Sequence, residues 1–167
     1  MNRLVLLVSL TLCAIAQALL PSWAGMGQAK APLLLGGVLY YALTREGFQV
    51  VEAAVLAGLL QDSLGPMPLG YTSLAFCVVA LLTNHYRDRV FGDHWITHVL
   101  LGTAAAILVT FVQYFLLVGG GHRALHLPFV LSKALGMSLL GVIAIPLVIS
   151  LIERLDYKLG NVELRDS

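Results

Sequence analysis

The chain alternates long apolar runs with short polar segments, a pattern typical of a helical membrane protein. Six apolar runs lie at about 4–20, 31–43, 48–60, 69–82, 96–118 and 128–152. A bilayer core of roughly 30 Å needs about 20 helical residues, a length that the first, fifth and sixth runs meet once tilt is allowed. The second, third and fourth runs have only about 13–14 residues, which suits short spans, re-entrant segments or buried helices.

The apolar runs are continuous, whereas the strands of a membrane barrel would alternate apolar and polar residues. We therefore predict an all-α membrane protein in which residues 1–167 form a single integral membrane domain with six transmembrane helices. Residues 153–167 mix both charges, and we expect them to form a short cytoplasmic tail whose helical start frays.

The composition supports lipid as the surroundings of this chain. Hydrophobic residues make up 59% of the 167 residues and charged residues 11%, against about 45–50% and about 25% in soluble domains. These values exclude an ordinary soluble domain, and they also exclude disorder, which requires low hydrophobicity and high charge. The formal net charge of +1, without a basic stripe, argues against a nucleic-acid partner.

Lysine and arginine predict the orientation, because they are enriched in cytoplasmic segments of membrane proteins. With six crossings and a cytoplasmic N-terminus, seven of the ten basic residues fall on the inner side and three on the outer side. The inner residues are Arg3, Arg45, Arg87, Arg89, Arg154, Lys158 and Arg165, and the outer ones are Lys30, Arg123 and Lys133. Both termini are therefore predicted to be cytoplasmic.

The first run also allows a second interpretation, a signal peptide with a small-residue cleavage site after Ala24. We favour a retained helix, because the apolar run is long for a signal peptide and Gln17 interrupts it.

The residues that usually carry chemistry do not form a convincing site. Cys13 and Cys77 lie in apolar runs without a second cysteine or histidine at ligand spacing, which argues against a disulfide or a zinc site. His94 and His98 could share a helical face with His85 as a third ligand, but histidines at the membrane interface are the favoured interpretation. We expect a protein that is not an enzyme and has no cofactor or metal.

Polar side chains inside apolar runs are more informative, because burying them in lipid is costly unless they are partnered. Four of them, from four helices, fall toward the outer ends of their runs and predict a shared outer polar patch: Gln17, Asp62, Gln113 and Lys133. Asp62 and Lys133 have opposite charges and similar depth, so they are a candidate ion pair. The alternative is that each side chain reaches the headgroups separately.

The link between the third and fourth runs is predicted to be a rigid corner at the outer surface. Gly65 and Gly70 allow positive φ, whereas Pro66 and Pro68 fix φ and cannot donate a hydrogen bond. Small residues spaced four apart, Ala54 with Gly58 and Gly102 with Ala106, predict close helix packing and offer faces that a partner helix could use.

The segment from residue 57 to 70 resembles the MreD family of rod shape-determining proteins. The family segment reads roughly G-L-x-x-D, a few residues including a proline, and then P-L-G, between the third and fourth helices. The matching residues here are Gly58, Leu59, Asp62, Pro68, Leu69 and Gly70, and together with Pro66 they form the candidate partner-binding or structural motif. The overall length, the six runs, the basic start and the charged tail agree with this resemblance.

The resemblance implies a non-enzymatic component of the bacterial cell-elongation machinery (the elongasome) in the inner (plasma) membrane. Proteins of this family are held to bind MreC, a bitopic protein. They work with the MreB filament, the transglycosylase RodA and a class B penicillin-binding protein to direct lateral peptidoglycan synthesis. The family fold is similar to that of the substrate-binding subunits of energy-coupling-factor transporters.

That similarity also supplies the alternative function, a membrane subunit that binds a vitamin for an energy-coupling transporter. Such subunits dock through an Ala-xxx-Ala pair on their first helix, and Ala14 and Ala18 have this spacing. The outer loops, however, offer no aromatic-rich pocket for a vitamin.

Overall fold

The computed structural model describes residues 3–21, 30–45, 47–65, 68–90, 95–120 and 127–158, all in helices or the turns beside them. Six helices follow one another along the chain. They are α1 (Arg3–Leu19), α2 (Leu33–Thr44), α3 (Phe48–Ser63), α4 (Tyr71–Val90), α5 (Trp95–Gly119) and α6 (Leu127–Lys158). The predicted all-helical architecture with six helices is therefore confirmed. Their crossing of a membrane six times stays a prediction.

Helix α2 is the centre of the bundle, and it contacts all five other helices. Every residue from Leu33 to Ala42 is buried. Its 12 residues give a length of about 18 Å, which is less than the bilayer core. Because the other helices surround it, α2 does not need to match the bilayer thickness by itself.

A tight turn connects α2 to α3. The backbone is extended at Arg45, and Gly47 has a φ of 61° just before α3 begins at Phe48. Glycine suits this position because it has no Cβ to clash at positive φ.

Among the residues that the structure describes, two segments are long and apolar enough to cross a membrane, Val99–Gly119 in α5 and Val130–Tyr157 in α6. Helix α6 also has an exposed aliphatic residue at every fourth position: Leu131, Leu135, Leu139, Ile143, Leu147 and Leu151. So many exposed large apolar side chains on one helix are typical of a surface that faces lipid or another protein.

The small-residue pairs lie inside the bundle and are not available to a partner, which corrects the expectation from their spacing. Gly58 faces α4 so closely that an added Cβ would overlap the backbone of Ser73, and Gly102 lies against Ile145 of α6. Ala54 and Ala106 are fully buried. These residues allow α3 to approach α4 and α5 to approach α6.

The first residues of the predicted tail, 153–158, are helical. Helix α6 continues to Lys158, and Ile152 and Asp156 are buried against the bundle. The predicted cleavage site after Ala24, Pro66 in the corner, His94 and the chain after Lys158 lie outside the described residues.

Candidate functional site

The predicted outer residues lie at one end of the bundle, where Asp62 closes the corner between α3 and α4. We call this the Asp62 end. The side chain of Asp62 is buried, and Oδ2 accepts a hydrogen bond from the amide of Gly70 at 2.7 Å. The amide of Thr72 donates to Oδ1 at 3.2 Å and to Oδ2 at 3.3 Å. Because the first amides of a helix have no partner within it, this carboxylate caps α4 and is favoured by the helix dipole.

Gly70 gives the corner its shape. It has a φ of 97°, and an added Cβ would meet no atom within 4 Å. Glycine is therefore required here by the backbone conformation and not by lack of space. Leu69, the residue before it, is 70% exposed and projects from the corner.

Thr72 extends the contact from α4 to α5. The side-chain Nε2 of Gln113 donates a hydrogen bond to Oγ1 of Thr72 at 2.9 Å, and both side chains are buried. The carboxylate of Asp62, the backbone and hydroxyl of Thr72, and the amide of Gln113 thus form one chain of hydrogen bonds across three helices.

Gln17 of α1 forms a second set of contacts at the same end. Its Nε2 donates to Oε1 of Gln61 in α3 at 2.5 Å, and its Oε1 accepts from the backbone amide of Leu34 at 3.1 Å. The second contact caps the start of the central helix α2. The contacts of Gln17 and those of Asp62 are adjacent, because the partner of Gln17 is Gln61, the residue next to Asp62 in α3.

The predicted ion pair between Asp62 and Lys133 is wrong. In the described part of the chain, salt bridges join Arg3 to Glu52 at 3.6 Å and Arg45 to Asp156 at 3.4 Å. The Asp62 carboxylate instead accepts hydrogen bonds from the backbone amides of Gly70 and Thr72, which the turn after α3 brings back to it within ten residues. Lys133 lies on α6 and is partly buried.

The opposite end of the bundle contains a buried charged cluster that the sequence analysis missed. We call this the Asp156 end. Oδ2 of Asp156 accepts a hydrogen bond from the hydroxyl of Tyr40 at 2.8 Å and pairs with Arg45 Nη2 at 3.4 Å. Asp156 is 1% exposed. Among the described residues, Oδ1 of Asp156 and Nε of Arg45 have no hydrogen-bond partner.

Helix α4 holds the turn between α2 and α3 at the Asp156 end. Nδ2 of Asn84 donates to the carbonyl oxygens of Ala42 at 2.9 Å and Arg45 at 2.8 Å, and Arg87 donates to the Arg45 oxygen at 3.2 Å. Arg45 therefore joins α4 through its backbone and α6 through its side chain.

The buried polar groups at both ends mainly hold helices to one another. Within the described ranges, no group of three or more histidine, cysteine or acidic side chains is arranged to hold a metal ion. Of the candidate transporter-docking pair, Ala18 is exposed and Ala14 is buried inside the bundle.

Comparison with known proteins identifies the family. A model of the family described as rod shape-determining protein MreD matches residues 1–157, which include the corner and both polar ends. No curated protein and no solved structure matches the chain. Family membership implies a role beside MreC- and MreB-type proteins, and together with the apolar helices it indicates an integral membrane protein. The chain belongs to the MreD family, and its role is in the determination of rod shape.

Proposed function

We propose that this protein is a non-enzymatic scaffold of the cell-elongation machinery in the bacterial inner membrane. It binds an MreC-like single-span protein and so helps to control lateral peptidoglycan synthesis by RodA and a class B penicillin-binding protein. The observation that carries this proposal is the division of the molecule into an interior that uses its polar groups between helices and an exterior of large apolar side chains. Such a protein acts on others mainly through its lateral faces.

The exterior of the α5–α6 hairpin is the face that we assign to the transmembrane helix of the partner. Both helices are long enough to cross the bilayer, and they expose Phe115, Leu139 and Ile143. Side chains in lipid gain little from the hydrophobic effect when they associate, so that packing shape decides the affinity. The exposed Leu69 at the corner lies where a membrane-proximal segment of the partner would pass.

The proposed orientation has six crossings with both termini in the cytoplasm, so that the Asp156 end faces the cytoplasm and MreB. Seven of ten basic residues belong to that side by their position in the chain. Phe48, Tyr86 and Tyr157 are exposed aromatic side chains at the same end, as expected at a membrane–water interface.

Co-purification with the MreC-like protein of the same organism tests the docking face. Tryptophan at Leu139 and Ile143 together should block helix packing while lipid accommodates the added volume, and we expect at least about a tenfold loss of bound partner, or about 1.4 kcal/mol. The matched control places tryptophan at Val78 and Leu81, which are exposed on α4. Full retention of the partner by the α6 variant would contradict the docking face, and failure of the unmodified protein to retain it would contradict the proposed function.

Cysteine labelling from either side of the membrane tests the orientation. In a background without Cys13 and Cys77, Tyr157→Cys and Tyr86→Cys should react with an impermeant maleimide only from the cytoplasmic side. Leu69→Cys should react only from the outside. Labelling of Tyr86→Cys and Tyr157→Cys from opposite sides would contradict six crossings.

A further inference from the structure

Lys133 is a cation on α6 for which the described residues supply no ion-pair partner, because the salt bridges among them join Arg3 to Glu52 and Arg45 to Asp156. The sequence has nine acidic residues, and Asp62 alone belongs to the Asp62 end. By their place in the sequence, the other eight belong to the opposite side of the predicted topology: Glu46, Glu52, Asp88, Asp93, Glu153, Asp156, Glu163 and Asp166. Asp62 already accepts hydrogen bonds from two backbone amides with both of its oxygens.

The position of Lys133 within the bundle follows from the contact between α5 and α6. The hydroxyl of Thr110 lies 3.7 Å from Sδ of Met137. Lys133 is one turn before Met137, and Gln113 is about one turn after Thr110 in the antiparallel neighbour. Lys133 therefore lies on the flank of α6 that faces α5, at the depth of Gln113, and it is partly buried there.

Charges inside a membrane protein are costly unless they are paired, and they mark functional positions. By their place in the chain, Lys30 and Arg123 belong to the same end as Lys133, so this end has three cations against one satisfied carboxylate. The surplus of positive charge is complementary to an acidic partner. Lys133 also belongs to the α5–α6 hairpin, whose exterior we assign as the docking face for the partner helix.

We propose that Lys133 is a docking point for a carboxylate, an aspartate or glutamate near the outer end of the partner's transmembrane helix. This inference rests on the proposed function and names the chemistry of its interface. A partner side chain fits better than a lipid phosphate, because Lys133 lies on the flank of α6 that faces α5 and is partly buried there, away from the exposed ridge of that helix. Pairing of this kind fixes the depth and rotation of the partner helix, which apolar packing alone defines weakly.

Charge variants of Lys133, with the MreC-like protein as the probe, test the proposal. We expect Lys133→Met and Lys133→Glu to reduce the co-purified partner by about tenfold or more, as removal of one member of a desolvated pair does. Lys133→Arg should retain most of the partner. Lys30→Met is the matched control, because it removes one positive charge from the same end. Exchange of the partner's acidic residue for lysine should restore binding to Lys133→Glu. Thermal unfolding in detergent shows whether each variant is folded.

Three results would overturn the inference. Unchanged co-purification of folded Lys133→Met and Lys133→Glu, while the α6 tryptophan variant fails to bind, would remove Lys133 but leave the proposed function. Equal losses in Lys133→Met and Lys30→Met would indicate a general effect of charge. The third comparison uses nanodiscs of anionic phosphatidylglycerol and of neutral phosphatidylcholine. A stabilisation by the anionic lipid that Lys133→Met abolishes, with partner binding intact, would assign Lys133 to a lipid phosphate.

Discussion

The two ends of the bundle bury a carboxylate almost equally, but they satisfy it in different ways. Asp62 is 3% exposed, Asp156 is 1% exposed, and each lies on a different helix. Asp62 meets neutral backbone amides and uses both oxygens. Asp156 meets a tyrosine hydroxyl and a guanidinium on one oxygen, whereas its other oxygen has no partner among the described residues. Neutral backbone amides therefore satisfy both oxygens of Asp62. The charge of Arg45 and the hydroxyl of Tyr40 satisfy only one oxygen of Asp156 among the described residues.

The difference also concerns what each carboxylate connects. Asp62 bonds to residues eight and ten positions further along the chain, so it organises a local corner. Asp156 bonds to residues 116 and 111 positions away, so it fastens the end of α6 to the central helix α2. Local capping stabilises one connection, whereas the long-range cluster closes the whole bundle. We therefore expect variants at the Asp156 end to cause the larger loss of stability.

The largest effect is expected from Asp156→Ala, which leaves the guanidinium of Arg45, whose side chain is 17% exposed, without its carboxylate. Breaking a buried pair in this way costs about 3–5 kcal/mol, whereas replacing both members by apolar residues is often neutral or stabilising. Unfolding in mixed detergent micelles should therefore show a severe loss for the single variant and partial recovery for Arg45→Met with Asp156→Leu, in which the buried hydroxyl of Tyr40 still lacks its acceptor. Glu153→Ala, an exposed residue on the same helix, is the control. Equal losses in the single and the double variant would show that the charges are not the cause.

The Asp156 cluster also shows where sequence reasoning reaches its limit. The six helices were predictable, because long apolar runs have few alternatives in lipid. Asp156 was missed because it follows the exposed charges Glu153 and Arg154 and resembles the start of a tail. The signal that could have found it is spacing, because Ile149, Ile152 and Asp156 share one helical face and all three are buried.

The corner at Asp62, in contrast to the Asp156 cluster, was recognised from the sequence, although one of its predicted contacts was wrong. Its composition predicted a rigid outer turn, and Gly70 has the positive φ that the sequence allowed. The pairing of Asp62 with Lys133 was wrong, because charge and depth can be read from sequence but the direction of backbone amides cannot. The central position of α2 could not be predicted from the sequence either, because an apolar run of this length suits a short span, a re-entrant segment or a buried helix.

An intermediate effect is expected from Asp62→Asn. The amide keeps one acceptor oxygen for Gly70 or Thr72, but its NH₂ group faces amide donors, and the favourable charge at the start of α4 is lost. Hydrogen bonds to charged groups contribute about 1.5–3 kcal/mol, so the loss should be smaller than for Asp156→Ala. Ser63→Ala is the control, because the hydroxyl of Ser63 donates to the carbonyl of Leu59 in its own helix. A loss equal to or larger than that of Asp156→Ala would reverse the ranking of the two ends.

The smallest effect is expected from Gln113→Leu, which removes the hydrogen bond between α5 and Thr72 and leaves the Asp62 cap in place. Hydrogen bonds between membrane helices contribute about 0.6 kcal/mol on average, and Thr72 keeps its backbone contact with Asp62. Gln17→Leu should reduce the stability more than Gln113→Leu. It removes the hydrogen bond to Gln61 and also leaves the buried backbone amide of Leu34, at the start of α2, without its acceptor. Thr103→Val, which removes a bond within α5 alone, is the control in the same micelle titration. If Gln113→Leu destabilised the protein as strongly as Asp62→Asn, the Asp62 end would act as one cooperative network and not as a local cap with a weak extension to α5.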